Sequence, residues 1–220
     1  TALVFFVAFL AIAYMRSGSV GTIAVAIFAL VFAGVLVLKI APHALSRFDS
    51  WRHIWEDPYD GGYQQTRTMS AIASGGLFGK GTEDSFLKNI GAANTDLVFG
   101  VISEEFGLLL ALLTVSCMVI LALYAVRCAA TARSSYYVIA ANAAAAMLVF
   151  QASLNVLGAV DILPLTGVTL PFMSQGGSSL LASFVIVALL MRAGDEATGR
   201  SVELAGTGIS TALPDSAVAG

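Results

Sequence analysis

Residues 75–107 read GGLFGKGTEDSFLKNIGAANTDLVFGVISEEFG, with five acids, two lysines and seven glycines in one stretch. Long apolar runs lie upstream of it, ending at Leu38, and downstream of it, starting at Phe106. Of its 220 residues, 58% are hydrophobic and 11% charged, and the mean hydropathy is +0.86. Soluble domains carry about 25% charged residues, so the stretch is a polar island in a membrane protein. Ionisable groups beside a bilayer are costly and tend to be functional. Asp96, near the end of the island, is the first candidate.

Five apolar runs surround the island. Residues 1–15 fall short of the roughly 20 needed to span, and Arg16-Ser17-Gly18-Ser19 closes them as a tight turn. Residues 20–38 span, ending at Lys39 and Pro42. Residues 106–126 and 136–160 follow, with Arg127 and Arg133 between them. The small-residue centre of 136–160, Ala140-Ala141-Asn142-Ala143-Ala144-Ala145-Ala146, admits a close neighbouring helix. Asn142, Gln151 and Asn155 in that run are expected to hydrogen-bond across helices. Residues 176–191 make the fifth run. The fold expected is all-α and polytopic, with about five transmembrane helices and a large extracytoplasmic loop over about 43–95. Residues 194–220, rich in Gly, Ala, Ser and Thr, read as a disordered tail.

Short loops set orientation through their Lys and Arg content. Arg16, the Arg127/Arg133 pair and Arg192/Arg200 fall on one alternating side, expected to be cytoplasmic. The long loop and residues 161–174 then face outward, and Asp96 with them. The chain opens at Thr1 inside an apolar run with no basic segment before it, so a secretory signal is not supported. Missing upstream helices are expected instead.

Several classes drop out. Net charge is −3 without a basic tract, against nucleic-acid binding. Cys117 and Cys128 form no CxxC or His/Cys cluster. Gly79-Lys80 lacks the flanking residues of a phosphate-binding Walker loop, and its neighbours do not fit GxGxxG. Arg47, Trp51, Trp55 and Tyr59 recur every four residues, which predicts a short helix along the membrane interface. Residues 66–73 predict another helical piece.

Helical steps of about 100° place Asp96, Gly100, Ser103 and Gly107 on one stripe, small and polar enough to border a cleft. Asn94, Thr95 and Asp96 are equally good helix caps, so chemistry and capping both stand for Asp96. As a catalyst it would act as a general base or hold a divalent cation, Mg or Mn. Lys80, Lys88, Arg47 and Arg52 are candidate partners for an anionic substrate. Solvated charge is the plainer reading, because residues 43–95 hold five Lys/Arg against six Asp/Glu. Glu104 is a further candidate at the membrane edge. Gly176-Gly177-Ser178-Ser179 opens the last helix, where free N–H groups suit a phosphate and small residues suit close packing.

Three segments together resemble the SEDS family of bacterial cell-wall polymerases, of RodA/FtsW/SpoVE type. They are Gly75-Gly76-Leu77-Phe78-Gly79-Lys80-Gly81 with Ser85 and Lys88; residues 94–107, similar to HTDFIFAVIAEELG; and residues 163–179, similar to LPTKGLTLPLISYGGSS. Asp57-Pro58 and Gly61-Gly62-Tyr63-Gln64 fit the loop before them. The chain departs from the pattern at Ile90-Gly91-Ala92-Ala93-Asn94 and at Gln175. The resemblance covers about residues 1–193, as the second half of a ten-helix fold in the bacterial cytoplasmic membrane. It implies polymerisation of lipid II into glycan strands beside a class B penicillin-binding protein, with Asp96 at the family's essential aspartate. Ser178 and Ser179 become candidate substrate contacts. A lipid II flippase and a non-catalytic scaffold for a transpeptidase are the alternatives.

Overall fold

The computed structural model describes residues 2–40, 47–131 and 134–210, except the side chains at 2, 3, 23, 33, 36–40, 131 and 196–210. Every regular element among them is helical. The order is α1 (Ala2–Ser17), α2 (Val20–Ile40), α3 (Tyr63–Gly75), a 3-10 turn (Leu87–Asn89), α4 (Val98–Thr131), α5 (Ser135–Ala159) and α6 (Gly177–Ser210). By length and apolarity, Val98–Ala130, Ser135–Ala159 and Gly177–Asp195 can cross a membrane. The α1 helix and the described apolar part of α2 are shorter. The chain is thus an all-α, multi-pass membrane protein. The last helix runs beyond the expected end of the fifth span, to Ser210. Residues 211–220, the rest of the expected tail, lie outside the described residues.

Close packing centres on α5. Its Ala141, Ala144, Ala145 and Leu148 meet Ala122, Ala125 and Ala129 of α4 and Leu190 and Ala193 of α6. Alanine there lets backbones approach where lipid supplies no hydrophobic drive between helices. A second cluster, Val98, Phe99, Ile102, Ala111, Met118, Ala152 and Leu170, joins the upper half of α4 to α5. Large apolar side chains such as Leu113, Ile120, Leu123, Leu181 and Phe184 point outward, as a lipid-facing surface requires. Ser116, Ser153 and Ser183 bond carbonyls of their own helices, which satisfies those three hydroxyls without water. Asn142 does the same, donating to Val138 O at 2.9 Å; it is not the interhelical bridge expected.

The island folds by opening α4. Gly107, at φ 84° and ψ 170°, breaks the helix. The carbonyls of Glu104 and Glu105 accept instead from Lys80 N (2.9 Å) and Gly81 N (3.0 Å), while Leu108 N and Leu109 N donate to Gly76 O (2.9 Å) and Leu77 O (3.3 Å). The glycine loop is spliced into the helical ladder, and each displaced backbone group finds a partner, as burial demands. From Leu108 to Ala130 the helix is about 34 Å long, enough for a hydrocarbon core of about 30 Å.

This splice corrects two expectations. The Gly100, Ser103 and Gly107 stripe borders no cleft. A methyl group on Gly100 would meet the Thr68 and Leu87 side chains at 2.6 and 2.8 Å, and one on Gly107 would meet Leu77 O at 2.3 Å. The stripe is small because α3 and the glycine loop lie on it. Asp96 also sits outside the helix, which begins at Val98. In the same way, residues 47–59 do not form the expected helix. Residues 47–49 are helical, and from Ser50 onward the chain runs through successive turns, with Arg52 in the left-handed region at φ 65°. Ile54, 1% exposed, pins this segment. Trp55 and Tyr59 remain exposed, as interface residues do.

Candidate functional site

Residues 94–96 and 163–179 lie far apart in sequence and are laced together in the fold. Asn94 O accepts from Gln175 N at 2.7 Å. Thr95 O accepts from Ser174 Oγ at 2.6 Å, and Asp96 O from Asn155 Nδ2 at 2.9 Å. The same Nδ2 reaches Val168 O at 2.7 Å. Ser174 Oγ in turn receives Leu170 N at 2.8 Å. Three consecutive carbonyls are held by three different donors. On the other side of the turn, Ala92 O accepts from the N–H groups of Thr95, Asp96 and Leu97, with Ala92 itself at φ 69°.

The Asp96 side chain is half-buried and, among the described residues, neither hydrogen-bonded nor ion-paired. It does not cap α4. Gly167, at φ +67°, lies against it: a methyl group there would stand 3.1 Å from Asp96 Oδ2 and 3.2 Å from Arg47 Nη1. Arg47 is steered to this place by Leu165 O, to which Nη1 donates at 2.8 Å. A carboxylate with free lone pairs and a guanidinium with unspent donors therefore flank one backbone carbon. Such a pair can accept a proton from a hydroxyl and stabilise negative charge beside it.

Gly167 is also part of the wall of a cavity of about 420 Å³, lined by Gln151, Thr169, Ser178, Ser179 and Ser183 and by Val4 and Phe5 of α1. Its polar rim is organised: Gln151 Nε2 donates to Thr169 O (2.9 Å) and Thr169 Oγ1 (3.2 Å), and Thr169 Oγ1 lies 2.9 Å from Ser179 Oγ. Ser178 is exposed at the start of α6. A methyl group on Gly177 would meet nothing within 4 Å, so close packing does not explain that glycine.

The other candidates stand elsewhere. Arg52 is exposed, its guanidinium 6.0 Å from the centre of the Trp51 ring. Lys80 is exposed on the spliced loop. Lys88, also exposed, donates its ammonium to Thr82 O. None of the three bonds Asp96. Glu104 is fully buried and accepts from Ser85 Oγ (2.9 Å), Phe86 N (3.2 Å) and Leu87 N (3.1 Å). It ties the Lys80–Lys88 loop to α4 and has no surface to offer a ligand. Sequence reasoning missed Gly167, Ser174 and the link from Asn155 to Asp96. Gly167 stands between Thr166 and Val168 in the quoted motif, and its spacing carried no hint of the carboxylate it faces.

Residues 1–199 match the model of a family described as cell cycle protein, FtsW/RodA/SpoVE. Among similar proteins, a probable peptidoglycan glycosyltransferase FtsW of Tolumonas auensis is 34% identical over 214 residues, covering 87% of this chain and 56% of the relative. The peptidoglycan glycosyltransferase RodA of Mycobacterium tuberculosis is 33% identical over 193 residues, covering 86% and 40%. Stage V sporulation protein E of Bacillus subtilis is 34% identical over 158 residues, covering 71% and 43%. The chain spans about half the length of the curated relatives it matches. With a family match over nearly its whole length, the chain belongs to the FtsW/RodA/SpoVE family of cell cycle proteins.

Proposed function

We propose that this chain carries the catalytic half of a peptidoglycan glycosyltransferase that polymerises lipid II, in cell-shape maintenance or cell division. The observation that carries the reading is the Asp96 carboxylate, without a partner among the described residues, beside Arg47 at Gly167; Gly167 itself lines the cavity of about 420 Å³. Relatives of about one-third identity are named for that activity. Placement of the site at the outer face of the cytoplasmic membrane rests on the Arg distribution between spans. A class B penicillin-binding protein is the proposed partner.

In this reading Asp96 accepts the proton of the acceptor sugar hydroxyl as that oxygen bonds the anomeric carbon of the donor. The bond from that carbon to the diphosphate breaks, and the lipid diphosphate leaves with the electron pair. Arg47 stabilises the charge that develops on it. Ser178 and Ser179 offer hydroxyls to the substrate along the cavity, and Lys80 and Lys88 meet the anionic substrate at the loop surface. Among the described residues no three His, Cys, Asp or Glu side chains cluster as a metal cage. A lone free carboxylate does suit Mg or Mn, which often takes one or two carboxylates and completes its shell with substrate phosphates. Asp96 would be the protein ligand, and the ion would supply Lewis-acid stabilisation of the diphosphate.

The test uses the full-length protein, reconstituted with its transpeptidase partner and given lipid II from outside. Wild type makes glycan polymer, and Asp96→Ala makes none while remaining folded by size-exclusion profile. Polymer from Asp96→Ala overturns the catalytic role. Absence of polymer from wild type points to lipid II transport.

A further inference from the structure

We propose that Asn155 is the positioning residue of this site, its amide stapling the main-chain carbonyl of Asp96 to that of Val168. The inference rests on the reading of Asp96 as the catalytic carboxylate. Both protons of Nδ2 are spent, at 2.9 Å on Asp96 O and 2.7 Å on Val168 O. Two carbonyls fix which end of the amide is nitrogen, since a flipped amide would set oxygen against oxygen.

Asn155 is 2% exposed, and its Oδ1 is buried without a partner. Such an orphan acceptor is destabilising, and a leucine of nearly the same size would remove it. What leucine would not supply is the staple. Half of the residue's hydrogen-bonding capacity is therefore held at a loss while the other half joins two loops 72 residues apart along the chain.

The staple opposes a competing structure. Asn94, Thr95 and Asp96 are all strong helix-capping types, and α4 begins at Val98, two residues after Asp96. In a helix extended by one turn, the carbonyls of residues 94–96 would accept from N–H groups at 98–100. In the fold they accept from Gln175 N, Ser174 Oγ and Asn155 Nδ2 instead. Asp96 is thus kept out of the helix, with its carboxylate aimed at Gly167 and Arg47 rather than back at its own backbone. Ser174 shares the task at Thr95.

The experiment measures lipid II polymerisation by the full-length protein with its partner, varying substrate to separate kcat from KM. Asn155→Leu is expected to lower kcat by about 30- to 100-fold with KM within about twofold, because a small misplacement of a reacting group acts on the rate of the bound complex. In an Asp96→Asn background the same change is expected to have no further effect. Wild-type kcat in folded Asn155→Leu overturns the proposal, as does a loss expressed in KM alone. If Asn155→Leu does not fold, Ser174→Ala decides: a fall of about fivefold or more in kcat supports the staple, and an unchanged kcat overturns it. Asp96→Ala is run alongside. Its inactivity with active wild type keeps the Asp96 assignment standing whatever Asn155 does, and its activity removes both.

Discussion

The carbonyl oxygen of Glu104 accepts its hydrogen bond from the backbone N–H of Lys80, at 2.9 Å. The usual donor would be Leu108, one turn along the helix, whose N–H goes to Gly76 instead. The polar loop is thereby registered to the membrane helix to within one rung of its ladder.

That register depends on space for backbone against backbone. A methyl group on Gly79 would lie 2.2 Å from Glu105 O, and Gly79 itself is at φ +81°. Gly79→Ala is expected to destabilise the fold by about 3 kcal/mol or more, combining overpacking with left-handed strain. Thermal unfolding of the purified protein in detergent would show it. Gly81→Ala is the control: it has the same sign of φ but nothing within 4 Å, so its loss should stay near 1–2 kcal/mol.

Glu104 holds the next segment of that loop with its side chain. Replacing it by alanine leaves Ser85 Oγ, Phe86 N and Leu87 N without their acceptor, at about 1–3 kcal/mol for each group that stays dry. Glu104→Ala should lower the melting temperature and speed amide exchange at Phe86 and Leu87, with no comparable change in α5. Exchange that stays slow there would mean the loop is held by something else.

Gly167 has no room for a side chain between Asp96 and Arg47 without pressing on both. An alanine there keeps an unfavourable φ, at about 1–2 kcal/mol, and presses on both Asp96 Oδ2 and Arg47 Nη1. The expected result is a protein that still folds and has lost about 10- to 100-fold in kcat. Glycan chain production from lipid II, normalised to folded protein, reads this directly.

Arg47 is tethered through one nitrogen to Leu165 O, leaving its other donors for an anion. Arg47→Ala should cost about 100-fold in kcat if it stabilises the departing diphosphate. Arg47→Lys should recover part of that, since an ammonium keeps the charge but lacks the planar fork that serves tether and anion together. Equal activity of the two variants would assign Arg47 a purely structural place.

Much of this was legible beforehand because membrane segments are selected by composition. The apolar runs, the arginines after them and the alanine-rich centre of α5 follow from the cost of exposing polar groups to hydrocarbon, which acts on each residue locally. Asp96 stood out because ionisable residues in such a chain are few. The aromatic repeat at 47–59 misled. Four-residue spacing fits a helix, but turns pinned by Ile54 and by left-handed Arg52 won there. The stripe of Gly100, Ser103 and Gly107 is small, as its residue types dictate, and its smallness makes room for the chain's own loop and helix rather than for a ligand.

A helical membrane protein with a polar island follows from hydropathy and helical period, because both are properties of neighbouring residues. The tertiary structure alone decided what the island does with its residues. It buried Glu104 as a clamp, left Lys80, Lys88 and Arg52 at the surface, and set Asp96 beside Arg47 and Gly167. Those relationships run through carbonyls and N–H groups that every residue possesses, so no residue type announces them. Only the folded path, with residues 94–96 laced to a loop some 70–80 positions away, keeps the Asp96 carboxylate out of a helix cap and leaves it without a hydrogen-bond partner among the described residues.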